Sequence, residues 1–115
     1  MWQTIYTELI KKGLNAYAPG QHEGLCTERY CVVLEGSQVP YFRSYRTGYQ
    51  LIDIILFVPL ASYIQVKPYA EEIKAALREL PFLRKTGNET PVITDDQVKA
   101  YTTSIEYQII KKLEG

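Results

Sequence analysis

The order of amphipathic patterns along this chain predicts an α+β fold, with helices packed on one antiparallel, at most mixed, β-sheet. Three observations carry that expectation. Apolar residues recur at helical spacing over 2–12 and again over 69–80. Between and after these segments, side chains alternate with the period of two that marks a strand. The chain also has 115 residues, 46% of them hydrophobic, enough for one core but not two, so 1–115 should form a single domain.

The N-terminal helix is predicted from Trp2, Ile5, Tyr6, Leu9 and Ile10, with polar residues on the other face and Gly13 as its stop. "NAYAPGQHEG" then has loop composition, with Pro19-Gly20 as a turn. "RYCVVLEG", 29–36, alternates as a strand, and "EGSQVP" is expected to break it. "YFRSYRTG" interleaves aromatic and arginine residues, which suits a largely exposed strand or hairpin arm.

Tyr49 to Val58 is the strongest β signal. Both of its faces are mostly apolar, so it is expected to be central and covered on both sides. The second helix, 69–80, has Pro68 in its first turn and Glu71 and Glu72 near the positive end of its dipole. Tyr69, Ile73, Ala76, Leu77 and Leu80 form its buried stripe, and Pro81 ends it. "RKTGNETPVITDD" reads as a loop. "VKAYTTSIEYQIIKK" closes the chain as a half-buried strand, setting Tyr101, Thr103, Ile105, Tyr107 and Ile109 against Thr102, Ser104, Glu106 and Gln108.

Thirteen basic residues balance thirteen acidic ones, an argument against a domain that grips nucleic acid through its phosphates. No basic, apolar leader and no apolar run of membrane-spanning length is visible, which predicts synthesis in the cytoplasm and no membrane partner. Cys26 and Cys31 follow His22 as H-x3-C-x4-C. That offers three zinc ligands where a structural site takes four, so reduced thiols and no metal are expected.

One acidic motif raises a catalytic alternative. A metal-dependent nuclease of the PD-(D/E)xK type needs an acid on one strand and acid-x-lysine on the next, with the lysine stabilising charge that develops on the phosphate. Asp53, Gln65 and Lys67 approximate it, with Glu8 as an extra acid, but Gln65 is neutral. Pro59 and "ASY" also intervene, and Lys67 directly precedes Pro68. The other reading makes Asp53 a strand residue near a sheet edge or under a loop, hydrogen-bonded or paired with an arginine such as Arg43 or Arg46. His22 is the only histidine, no nucleotide-binding loop is present, and no catalytic residue or cofactor is predicted.

Tyrosine is abundant, ten of 115, and Tyr41, Tyr45 and Tyr49 interleave with Arg43 and Arg46. Such a series can stack single-stranded nucleic acid or form a protein interface. The neutral charge favours the interface.

"LIDIILFVPLASY", "PYAEEIKAALREL" and "TGNETPVITDDQVKAYTTSIEYQII" together resemble the small tail terminator and head-tail joining proteins of long-tailed bacteriophages, prophages and phage-tail-like particles. The likeness covers most of the chain and is weakest over Gly20 to Arg46. It implies a virion structural protein without enzymatic activity, assembled in the host cytoplasm. Such a protein would form a ring, usually of six, at the head-proximal end of a tail tube. It would end tube growth and offer a surface to the head connector, so the implied partners are further copies, the tube protein and a head-completion protein. Two segments are candidate ring contacts. The arm offers Tyr41, Arg43, Tyr45 and Arg46, and the segment 86–96 offers Glu89, Asp95 and Asp96, opposite charges that would fix register between neighbours.

Overall fold

Residues 2–22, 24–40 and 47–112 are described by a computed structural model. The elements in order are α1 (Trp2–Lys11), β1 (Ala16–Tyr17), β2 (Tyr30–Pro40), β3 (Thr47–Pro59), a 3-10 helix (Leu60–Gln65), α2 (Val66–Leu77), β4 (Leu83–Glu89), β5 (Ile93–Asp95) and β6 (Ala100–Lys112). The strands form one sheet in the order β1-β2-β3-β6-β4, with β5 also on β6. β1 runs parallel to β2, and the other pairings are antiparallel. The fold is α+β with a mixed sheet.

β3 is the middle strand, and its burial follows the pleat. Ile52, Ile54, Leu56 and Val58 are buried, while Leu51, Asp53, Ile55 and Phe57 are half-buried. The buried set joins Cys31, Val33, Ile105, Tyr107 and Ile109 against Ile5 and Leu9 of α1 and Tyr69, Ile73, Ala76 and Leu77 of α2. Each such aliphatic side chain contributes about 1.5–3 kcal/mol by leaving water, so this one layer holds most of the fold's stabilisation. The Trp2 indole N–H donates to the Val33 carbonyl at 2.7 Å and ties α1 to the outer edge of β2.

The expectation of cover on both faces of β3 is not met. Both helices lie on the Ile52–Val58 side. On the other side, among the described residues, a small cluster of Cys26, Tyr30 and Ala100, with Phe57, Val32, Tyr17 and Val98 beside it, closes one end.

Three further boundaries differ from the sequence reading. β2 continues through "EGSQVP", because a bulge between Glu35 and Gln38 absorbs the irregularity. Gly36 suits the close approach there: a Cβ would stand 3.2 Å from that of Leu51, so the neighbour would have to give by a few tenths of an ångström. The Gln50 amide, buried on the helix side, donates to the Gly36 carbonyl and secures the bulge. The segment taken as a loop forms β4 and β5 on the flank of β6, with Gly87 at φ +92° in the register shift. The second helix starts at Val66 and ends at Leu77, preceded by the 3-10 turn after Pro59.

Candidate functional site

Tyr41, Arg43, Tyr45 and Arg46 lie outside the described residues. Up to that segment β2 and β3 stay paired, to Pro40 opposite Gly48, and β6 accompanies β3 as far as Lys112 opposite Thr47. The three strands are therefore paired as far as Pro40, Thr47 and Lys112.

The three acids of the other expected patch are divided. Glu89 ends β4 and binds the Lys74 ammonium at 3.0 Å, so its charge is met within the chain. That hydrogen bond also raises the Lys74 pKa above the usual lysine range. Asp95 ends β5 and accepts the Gln97 N–H at 3.0 Å, which shapes the turn into β6. Asp96 is exposed in that turn.

Asp53 sits on the central strand, which excludes the sheet edge from the two expected places, while Gly87 to Thr90 stand beside it around one concavity. It stands directly opposite Glu106 of β6. Like charges so placed disfavour each other. Glu106 is held by the Thr86 hydroxyl at 2.7 Å and the Asn88 amide at 3.0 Å. Asp53 has no ion pair among the described residues, and the proposed partners Arg43 and Arg46 are outside them. Burial first, and Glu106 second, push its carboxyl above the usual range. The pair lines an open concavity of about 610 Å³ on the face without helices, with Ile55, Thr90, Ile93 and Ser104.

Gln65 closes the 3-10 helix and Lys67 is exposed in the first turn of α2, so neither lies on a strand beside β3. Glu8 points along α1 toward Lys12 at 4.0 Å. Among the described residues no three His, Cys, Asp or Glu side chains gather as a metal site would need. His22, Cys26 and Cys31 do not gather either, because Cys31 is on the opposite face of the sheet from Cys26. Cys31 lies in the helix-side core and Cys26 in the opposite cluster, while His22 stacks on Tyr30 at 3.8 Å between ring centres. Burial raises both thiols, Cys31 to about 11, which leaves them protonated and unreactive at neutral pH.

An exposed apolar surface is what the sequence reading missed. Leu60, Tyr63 and Ile64 on the 3-10 helix, with Val92 and Ile93 before and in β5, face solvent; Ile64 is 81% exposed, Ile93 60% and Tyr63 57%. They share one end of the sheet, because the 3-10 helix leaves the end of β3 and β5 pairs with the adjacent start of β6. Tyr63, Ile64, Pro91 and Val92 line a concavity of about 510 Å³ bordered by Lys67 and Lys74. The local cause is the break at Ser62, φ −124°, which turns the last residues of the 3-10 helix away from the core. The only available signal was "LASYI", large apolar residues between two elements whose own patterns were already complete.

Comparison with protein-family models and with curated proteins returns no match to this chain. No described helix is long and apolar enough to cross a membrane.

Proposed function

We propose that this chain is a virion structural protein of a long-tailed phage or phage-tail-like particle. It assembles as a ring, of six copies by resemblance, on the head-proximal end of the tail tube. There it ends tube polymerisation and presents a surface to the head connector. The observation that carries the reading is the apolar end formed by Leu60, Tyr63, Ile64, Val92 and Ile93. A small single-sheet domain with five large apolar side chains exposed at one end has a surface suited to a permanent partner. The resemblance of the chain's three long segments to tail terminators supplies the partner: the tube protein or the connector. Hydrophobic contact of this kind suits an obligate assembly, in which interfaces resemble a core cut in half.

Ile64→Asp tests the contact. Ile64 touches little of its own chain, so thermal stability should change by no more than about 0.5 kcal/mol. Attachment to purified tails should be lost. A variant that attaches as the parent does would exclude this surface from the contact.

A further inference from the structure

We propose that neighbouring copies join edge to edge, the outer edge of β2 on one copy pairing with the outer edge of β4 on the next, with Glu35 against Lys85. The proposal rests on the ring reading above and names the joint that closes it.

Both strands have an open side. β1 covers β2 only at Cys31 and Val32. Strand alternation turns the N–H and C=O of residues 31, 33 and 35 outward. The first pair of contacts agrees with this, since the Cys31 N–H donates to the Asn15 carbonyl at 3.0 Å and the Val33 carbonyl accepts the Trp2 indole. Beyond Val33 no described strand pairs with the outer edge, and β2 runs on to Pro40. β4, at the far side of the sheet, pairs among the described residues with β6 alone, and the Leu83 N–H is taken up by the Leu80 carbonyl. The peptide groups at Glu35 and at Lys85 thus have no strand partner on their outer sides among the described residues, and such open edges are a template for another strand.

The direction fits. β2 and β6 run one way, and β3 and β4 the other. A second copy in the same orientation therefore brings its β2 antiparallel to β4. The alternation continues across the junction without inverting the copy. One edge meeting a different edge is the heterologous relation that closes into rings.

The charges fit as well. Glu35 stands opposite Ile52, Ile52 opposite Tyr107, and Tyr107 opposite Lys85. These four residues form one row across the sheet, so a neighbour added without stagger sets its Glu35 directly opposite Lys85. Both side chains belong to the helix-side face, and both are exposed. Two-fold pairing is disfavoured, since β2 on β2 would bring Glu35 toward Glu35 and β4 on β4 would bring the cations Arg84 and Lys85 of the two copies close together. Opposite charges on the two edges thus select the head-to-tail arrangement over the symmetric ones.

The test uses the full chain, alone at high concentration and added to tails purified from a strain lacking the gene, with ring assembly followed by sedimentation and electron microscopy. Glu35→Lys and Lys85→Glu should each weaken ring assembly roughly tenfold while melting as the parent does. The doubly reversed chain should assemble normally. Residues directly opposite in an antiparallel pair have Cα atoms about 4.5–5.5 Å apart, inside the disulfide range. Glu35→Cys combined with Lys85→Cys should therefore yield covalently linked rings on oxidation, with Cys26 and Cys31 buried and the parent chain as control. Rings that form in the single reversals as readily as in the parent, and stay unlinked in the cysteine pair, would overturn the edge joint and leave the ring standing. A parent chain that forms no ring in either setting would overturn both.

Discussion

Asp53 shows how a residue can be conspicuous in a sequence for one reason and matter in the fold for another. It interrupts the most apolar strand, and it faces Glu106 on the neighbouring strand β6. Its raised pKa means the folded chain holds the proton more tightly than the unfolded one. The ionised group consequently costs stability. That cost is absent below the ordinary aspartate range, grows as pH rises through the raised value, and is complete at neutral pH. Asp53→Asn should therefore stabilise the chain at neutral pH by on the order of 0.5 kcal/mol, with the gain vanishing in acid. Melting curves across pH check this, and a loss of stability at pH 7 would show that the carboxylate makes a favourable contact. The same residue heads the nuclease alternative, whose other members Gln65 and Lys67 lie on helical segments. Purified protein is expected to leave DNA intact with magnesium or manganese. Cleavage that disappears in Asp53→Ala and Lys67→Ala would reverse the functional reading.

At the scale of elements, legibility followed how much of each segment's fate is decided by its own residues. α1, β3 and β6 carry strong periodicity, and each formed within two residues of its expected bounds. β6 shows the wet face its Thr102, Ser104, Glu106 and Gln108 announce. β4 is different. "LRKTGNE" has no strand pattern, and it becomes one because β6 offers an unpaired flank, a tertiary cause that propensity does not record. The extension of β2 depends similarly on a bulge stabilised by Gln50, fourteen residues away in sequence. The apolar end was hidden for the same reason: exposure of Tyr63 and Ile64 follows from the turn at Ser62 and from where the helices lie, not from their composition.

For the whole molecule, the placement of its layers organises everything else. With both helices on one face, the sheet keeps an open face, two open edges and an apolar end. The edges and the apolar end serve different contacts in the proposed assembly. The edges join copies, while the apolar end meets the tube or connector. A ribbon of β2, β3 and β6 runs as far as Pro40, Thr47 and Lys112. No chemical step is needed for such a role; what it needs is a rigid block with directional surfaces. The most direct measurement is electron microscopy of particles from a strain lacking this gene. The proposed function predicts overlong tails, or tails and heads that accumulate unjoined, both corrected by supplying the chain. Tails of normal length joined to heads in that strain would contradict it.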